Sequence, residues 1–257
     1  MRATAALITA LAFTVAGCRG SSSGGGGSSS GDNITGTINV FAASSLTESF
    51  TTLGKQFEHD HPGTKVVFNF GPSSGLSEQI TQGAPADVFA SASTSSMDDV
   101  VGAGDASNPT DFAKNNMEIA VPPANPGHVT SVSDLAKSGT KVAVCQAEVP
   151  CGVAAAQVFT NAKLTVKPVT EEVDVKSVLA KVQLGEVDAG VVYVTDVRAA
   201  GDKVKGITIP ASVNATATYP IAALSHSSHS ATAQAFVDYV LSSAGTSVLS
   251  AAGFLGP

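Results

Sequence analysis

Short apolar segments alternate along the chain with longer segments in which apolar residues recur every three or four positions. The short runs are typical of strands buried on both faces, and the longer repeat is typical of a helix with one buried side. The predicted strands cover residues 38–42, 65–70, 87–90, 118–121, 141–145, 190–194 and 206–209. This alternation predicts an α/β fold with a mostly parallel sheet.

Two helices carry the clearest repeat. In the first, apolar residues are spaced by three or four positions at Leu46, Phe50, Leu53 and Phe57. A later segment repeats the pattern at Val175, Val178, Leu179 and Val182, and helices at 231–241 and 246–252 close the chain. Each such stripe predicts a helix packed against the sheet.

Two of the predicted strands end in a pair of serines that opens a helix. Ser44 and Ser45 follow the first strand, and Ser73 and Ser74 follow the second. The first turn of a helix has N–H groups without an intrahelical partner and a partial positive charge, to which serine hydroxyls add further donors. The two junctions predict anion-binding turns that face one site.

The N-terminal segment has the pattern of an export signal. Arg2 precedes an apolar stretch that is too short to span a membrane and ends in Val15-Ala16-Gly17-Cys18. This end resembles the lipobox of bacterial lipoproteins, in which the cysteine is acylated, so we expect a lipid anchor at Cys18. The alternative is plain secretory cleavage. We assign residues 1–18 to the signal peptide and 19–35 to a flexible Ser/Gly tether.

Composition and net charge limit the classes of function that this protein is expected to have. The chain has 43% hydrophobic and 14% charged residues with a formal net charge of −7. Without a basic cluster, nucleic acid is not an expected partner. The negative charge also disfavours long-range attraction of an anion, so an anion site has to work through local dipoles.

Two cysteines remain after Cys18. Cys145 and Cys151 are six positions apart, and an oxidising compartment permits a disulfide between them. Two buried free thiols are the alternative, because spacing alone does not establish a compatible geometry. Two further segments, the turn-rich residues 122–127 and the Tyr219-Pro220 pair, are candidate crossings between two lobes.

The order of these features along the chain resembles the order found in one protein family. Both serine junctions, GAPADVFASAS at 83–93, EVPCG at 148–152 and DAGVVYVTD at 188–196 occur in the order found in molybdate-binding proteins of bacterial ABC importers. The resemblance implies the two-lobed periplasmic-binding-protein fold (type II), in which each lobe is a mostly parallel sheet flanked by helices and a two-segment hinge joins the lobes. We place lobe I at 36–120 and 220–257 and lobe II at 121–219.

The resemblance also implies the ligand contacts. They fall on Ser45 and Ser73 in lobe I, and on Cys151, Val175 and Tyr193 in lobe II. The serines and Tyr193 would donate hydroxyls, and Cys151 and Val175 would donate backbone N–H groups. Ser44 and Ser74 are possible additional contacts. All of these donors are neutral, which suits a fully deprotonated dianion.

Each residue also has a purely structural interpretation. Ser45 with Glu48 matches a helix capping box, which needs no ligand. Tyr193 alone would be a core aromatic on a strand. Asp87, Asp188 and Asp196 are predicted as turn, cap or surface residues, because a carboxylate repels an anion.

A serine hydrolase is the alternative from another class. Gly71-Pro72-Ser73-Ser74-Gly75 matches G-x-S-x-G between a strand and a helix, and Asp196 and then His226 or His229 follow in hydrolase order. This alternative leaves the first serine junction unexplained.

The sequence therefore predicts an extracytoplasmic, lipid-anchored, monomeric binding protein, not an enzyme. We expect it to bind molybdate or tungstate and to deliver the anion to ABC permease subunits. A sulfate-type ligand is the alternative within the binding class. We expect no cofactor and no direct metal-cation site, since the metal would arrive inside the oxyanion.

Overall fold

Strands and helices alternate throughout the computed structural model, which describes residues 34–257. The predicted signal peptide, Cys18 and nearly all of the tether lie outside these residues. The strands are β1 Gly36–Ala43, β2 Thr64–Gly71, β3 Val88–Ala90, β4 Thr110–Val121, β5 Val142–Cys145, β6 Thr170–Glu172, β7 Ala189–Tyr193, β8 Lys205–Thr208 and β9 Thr216–Ala223. The α-helices are α1 Thr47–Asp60, α2 Ser73–Thr81, α3 Thr94–Gly102, α4 Pro150–Asn161, α5 Val175–Gln183, α6 Val194–Ala200, α7 Ser230–Leu241 and α8 Ser243–Ala252. Between residues 34 and 257, no helix has the length and apolar character needed to cross a bilayer.

The strands form one sheet with parallel pairing at each end and antiparallel pairing in the middle. Their order is β2-β1-β3-β9-β4-β7-β5-β6, and β8 pairs with β4. Pairing is parallel among β2, β1 and β3 and among β6, β5 and β7, whereas β9 and β4 run antiparallel to their neighbours. The predicted α/β class is confirmed, with two antiparallel strands between its parallel parts.

The strands β4 and β9, which we call the crossing strands, connect the two parts of the sheet. β4 pairs with β9 as far as Asn116 and with β7 from Met117 onwards. Buried apolar residues change over at the same place. Ala113 belongs to a cluster built from residues 38–113 and 219–254, and Met117 belongs to one built from residues 117–209. The exact lobe boundaries stay a prediction.

The apolar stripe of α1 is buried as its spacing predicts. Leu46, Phe50, Leu53 and Phe57 are all 0% exposed. Phe57 packs edge-on against Phe236 of α7 with ring centroids 5.3 Å apart. Each fully buried apolar side chain of this size contributes about 1.5–3 kcal/mol. This packing fixes α1 on the sheet and so fixes the serine turn that precedes it.

Candidate anion-binding site

Four helical starts meet at one cavity. They are the 3₁₀ turn Ser44–Leu46 that leads into α1, and the first turns of α2, α4 and α5. The cavity is narrow, with a volume of about 10 Å³ open to the centre of a water-sized sphere. Its lining residues are Ala43, Ser44, Ser45, Gly71, Pro72, Ser73, Ala92, Val149, Pro150, Cys151, Asp174, Val175 and Tyr193. Helical starts that converge in this way present unpaired N–H groups and positive dipole ends to a common point.

The residues singled out from the sequence lie together at this cavity. Ser45, Ser73, Cys151, Val175 and Tyr193 all line it, although they come from five separate chain segments. The lining also includes Ser44, but not Ser74. None of the lining residues is a lysine, arginine or histidine. Among these lining residues, the hydrogen-bond donors available to an anion are therefore all uncharged.

Ser45 and Ser73, the two predicted contact serines of lobe I, have different hydrogen-bond partners. The Ser73 hydroxyl oxygen accepts the Ala92 N–H at 2.9 Å, which leaves the hydroxyl proton of Ser73 free to be donated. The Ser45 hydroxyl lies 2.9 Å from that of Tyr219, a residue not anticipated as part of the site. Both serines are buried, at 4% exposed for Ser45 and 1% for Ser73.

The capping-box interpretation of Ser45 is wrong. Helix α1 begins at Thr47 after Leu46, and no side chain caps its first turn. The Glu48 carboxylate instead contacts the Lys176 ammonium at 2.8 and 2.9 Å. The short 3₁₀ turn places Ser45 one residue before the cap position of α1, which Leu46 occupies.

The start of α4 is built from a proline, a disulfide and a glycine. Pro150 occupies the first helical position and has no N–H, so Cys151 supplies the first amide of the helix. Cys145 and Cys151 are bonded through their sulfur atoms, with Cα atoms 5.7 Å apart. A Cβ on Gly152 would lie 1.8 Å from the Gln146 carbonyl oxygen. Only glycine therefore allows the loop to pack this closely under the Cys151 amide.

The start of α5 carries an acidic cap that sequence reasoning missed. Asp174 precedes the helix, and its Oδ1 accepts the Ser177 N–H at 2.8 Å. Asp174 also lines the cavity. An Asp three residues before the Ser177 amide is an ordinary N-cap pattern, and that pattern was the available signal. Its carboxylate charge is partly compensated by the helix start, where the Val175 N–H remains available.

Tyr193 brings an unpaired hydroxyl into the site. Its side chain is 1% exposed, and its hydroxyl has no hydrogen-bond partner among the described residues. Burial raises the pKa of Tyr193 well above its usual value, so the phenol stays protonated and remains a donor. A buried unpaired hydroxyl costs about 1–3 kcal/mol, which a ligand oxygen would recover.

The charged residues next to the site compensate one another. Asp196 is fully buried, accepts the Tyr193 N–H at 3.1 Å, and lies 3.1 Å from the Lys176 ammonium. Burial raises the pKa of Asp196 to about 6, against the opposing charge of Lys176. Burial opposes the charge of Lys176, but Asp196 and Glu48 outweigh it and raise the pKa of Lys176. Lys176 is therefore engaged by carboxylates.

The other aspartates named from the sequence act as structural acceptors. Asp87 accepts the Asn39 N–H at 2.7 Å, and Asp188 accepts the Lys141 N–H at 2.8 Å. The cap prediction for Asp196 is correct, because its carboxylate accepts the N–H at the start of α6. Its predicted surface alternative is wrong, since the side chain is 0% exposed.

The arrangement gives little support to the hydrolase alternative. In the described residues, the Ser73 hydroxyl pairs with a backbone amide and not with an imidazole. His226 lies 3.3 Å from Asp105, and the His229 ring lies 3.1 Å from the Ser228 hydroxyl. Asp196 is engaged by Lys176 and Tyr193. The nucleophile, base and acid of a triad are therefore not assembled.

A cavity that four helical starts and several buried hydroxyls surround defines an anion-binding protein. The parallel-ended sheet with two crossing strands places this site in a solute-binding fold. The family profile described as bacterial extracellular solute-binding protein matches residues 38–255. The chain belongs to this family, as its resemblance predicted, and is an extracytoplasmic binding protein.

Individual relatives agree with this assignment. The molybdate-binding protein ModA of Mycobacterium tuberculosis is 44% identical over 222 residues, which cover 86% of this chain and 85% of ModA. The putative ABC transporter substrate-binding lipoprotein YvgL of Bacillus subtilis is 34% identical over 228 residues, covering 85% and 86% of the two chains. The periplasmic molybdate-binding protein structure from Azotobacter vinelandii matches with a TM-score of 0.76 at 23% identity, covering 86% of this chain and 99% of that one. This last likeness confirms the two-lobed fold.

Proposed function

We propose that this protein binds a tetrahedral oxyanion, molybdate or the equally charged tungstate, and delivers it to an ABC importer. The observation that carries the proposal is the cavity in which serine hydroxyls, helix-start amides and the unpaired Tyr193 hydroxyl converge without a cationic side chain. Neutral donors suit a dianion that is fully deprotonated at neutral pH. The name and 44% identity of the mycobacterial relative support molybdate as the ligand.

In the proposed complex each lobe supplies part of the donor set. Ser45 and Ser73 belong to lobe I, and Cys151, Val175 and Tyr193 belong to lobe II. Only the closed form satisfies the ligand, so the ligand shifts the population toward closure about the crossing strands. The permease then recognises the closed form. We keep lobe I at 36–120 and 220–257 and lobe II at 121–219 as part of this proposal.

The proposed cellular arrangement places the binding lobes outside the cytoplasm on a lipid anchor. Cys18 would carry the lipid, and the Ser/Gly-rich segment after it would act as the tether. The lipoprotein relative from Bacillus subtilis supports this arrangement. The protein acts as a monomer that binds its ligand without changing it.

Sulfate is the ligand that has to be distinguished from molybdate. Both anions are tetrahedral dianions, so the donor types alone suit either one. Hydrogen phosphate differs because it carries a proton that needs an acceptor. Asp174 is the carboxylate among the lining residues; its Oδ1 accepts the Ser177 N–H, which leaves Oδ2 as the oxygen that could accept such a proton.

Thermal unfolding tests the proposal. The purified protein is heated with molybdate, tungstate, sulfate, phosphate or no added anion at matched ionic strength. A ligand at a hundred times its dissociation constant stabilises by about 2.7 kcal/mol, and for a chain of this size this raises Tm by about 5–10 °C. We expect shifts with molybdate and tungstate. A shift with sulfate alone would change the ligand, and no shift with any anion would refute the proposal.

A further inference from the structure

A buried chain of polar side chains leads from the crossing strands to the cavity. Asn115 of β4 and Tyr219 of β9 are 0% exposed, and Ser45 and Thr195 at its two ends are buried as well. Asn115 Nδ2 donates to Thr195 Oγ1 at 2.8 Å and lies 3.5 Å from the Tyr219 hydroxyl oxygen. The Tyr219 hydroxyl is 2.9 Å from that of Ser45. This hydrogen-bonded row of side chains therefore ends on Ser45, one of the three serines of lobe I that line the cavity.

The side-chain amide of Asn115 gives this row of hydrogen bonds a direction from donor to acceptor. An amide nitrogen donates and does not accept, so the Tyr219 oxygen is the acceptor toward Asn115. The Tyr219 proton can then be donated to the Ser45 oxygen, 2.9 Å away, in a pair where either hydroxyl can be the donor. When the Ser45 oxygen accepts the hydrogen bond from Tyr219, the hydroxyl proton of Ser45 itself is free to point into the cavity. With the opposite direction, Ser45 would donate to Tyr219 and turn its lone pairs toward a bound anion.

Either orientation of the Asn115 amide leaves one of its two polar atoms without a partner among the described residues. Asn115 Oδ1 has no hydrogen-bond partner among the described residues. Turning the amide over would let Oδ1 accept from the Thr195 and Tyr219 hydroxyls and would reverse the direction, but it would leave Nδ2 at the position that has no partner. An orphaned buried acceptor costs about 1–3 kcal/mol, so this orientation needs compensation from elsewhere. A charge-assisted hydrogen bond from Ser45 to an oxyanion provides compensation of that size.

We propose that Asn115 and Tyr219 are positioning residues that hold the Ser45 hydroxyl as a donor toward the bound oxyanion. This inference rests on the proposed function and adds two residues to it that do not line the cavity. Burial raises the pKa of Tyr219, so its phenol keeps the proton that the chain requires. The residues also link the crossing strands to the start of α6 through Thr195, so the donor is oriented where the two parts of the sheet meet.

Packing alone does not account for the tyrosine at position 219. Its ring packs edge-on against Phe254 and Phe112, with centroids 5.3 and 6.1 Å away. A phenylalanine would make both contacts without burying a hydroxyl. The hydroxyl therefore contributes through its hydrogen bonds, and those bonds lead to Ser45.

A double-mutant cycle tests the inference. Molybdate affinity is measured by titration calorimetry for the wild-type protein, Ser45→Ala, Tyr219→Phe and the double variant. We expect Ser45→Ala to weaken binding about 10- to 100-fold and Tyr219→Phe about fivefold, whereas the double variant binds like Ser45→Ala alone. Tyr239→Phe is the matched control, because the Tyr239 hydroxyl pairs with Asp60 away from the cavity, at 3.0 Å. It should leave the affinity unchanged.

The possible outcomes separate the inference from the function. If the wild-type protein binds molybdate but the two losses multiply in the double variant, Tyr219 acts independently of Ser45 and the inference is overturned. If the wild-type protein does not bind, the proposed function fails and the inference fails with it. Thermal unfolding without ligand checks that each variant folds. Should Tyr219→Phe not fold, the same cycle is run with Asn115→Ala, which removes the orphaned acceptor together with the donor.

Discussion

Ser73→Ala tests the site at the more deeply buried of the two predicted serine contacts. The Ser73 hydroxyl is buried, its oxygen accepts the Ala92 N–H at 2.9 Å, and its proton is free for the ligand. Alanine removes one charge-assisted hydrogen bond, worth about 1.5–3 kcal/mol. This loss raises the dissociation constant for molybdate by about one to two orders of magnitude.

The same substitution also has a cost without ligand. It leaves the buried Ala92 N–H without its acceptor, which destabilises the fold by about 1–3 kcal/mol. For a chain of this size, Tm falls by about 2–4 °C for each kcal/mol. Stability and affinity are therefore measured separately, by thermal unfolding without anion and by titration calorimetry with molybdate.

Ser77→Ala provides the matched control for Ser73→Ala. Ser77 lies on the same helix α2 and is equally buried, but its hydroxyl donates to the Ser74 carbonyl at 2.8 Å and does not line the cavity. We expect Ser77→Ala to lower Tm and to keep the wild-type affinity. An unchanged dissociation constant for Ser73→Ala, or equal losses in both variants, would refute the role of Ser73.

Three further perturbations test the surroundings of the site. Replacing both Cys145 and Cys151 with serine removes the disulfide that holds the loop before α4. We expect molybdate binding under oxidising conditions to weaken several-fold, because the backbone amide at position 151 is less preorganised. Equal affinity in calorimetry would show that the disulfide has no such role. Glu48→Gln breaks the ion pair between α1 and Lys176 on α5. Because Glu48 is half exposed, we expect only about a twofold loss of molybdate affinity, and we expect this loss to disappear at high salt. A loss that does not depend on salt would show that the ion pair is not its cause. Asp134→Ala should destabilise by about 0.5–2 kcal/mol at pH 7 in urea unfolding. A neighbouring lysine and two backbone N–H groups hold the pKa of Asp134 below its usual value, so its contribution is present above the unfolded-state pKa of about 4 and is lost as the pH falls below it; a pH-independent difference would contradict this cause.

The apolar pattern predicts the parallel parts of the sheet well and the middle of it poorly. All seven predicted strands lie within or overlap observed strands. The pattern misses β6, which is a short polar edge strand, and β9, whose Pro220 suggests a turn. It also misses the first half of β4, where Asp111, Lys114 and Asn115 interrupt the apolar run. These polar positions belong to the crossing strands, where tertiary pairing outweighs local pattern.

The cavity residues were predictable to the extent that each has a local signature. The helix-start argument predicts the two serine pairs at 44–45 and 73–74, and the family resemblance selects Ser45 and Ser73 within them. Cys151 and Val175 were named only through the family resemblance, because a backbone amide leaves no trace in side-chain chemistry. From its sequence context alone, Tyr193 would be a core aromatic. The structure adds that its hydroxyl has no hydrogen-bond partner among the described residues.

The buried polar chain behind Ser45 could not be predicted in the same way. Asn115 and Tyr219 are 104 positions apart, and neither has a motif that connects it to Ser45. Their contact depends on the pairing of β4 with β9, which is long-range and absent from the local pattern. The same holds for Lys176 and Glu48, which meet only because α1 and α5 both start at the cavity.

Titration calorimetry of the purified protein with molybdate, followed by sulfate displacement, tests the central claim most directly. We predict saturable binding of one molybdate per chain, and we predict that a large excess of sulfate does not displace it. Saturable binding of sulfate but not molybdate would keep the anion site and contradict the assigned ligand. No heat of binding with molybdate, tungstate or sulfate would contradict the claim that this cavity is an oxyanion site.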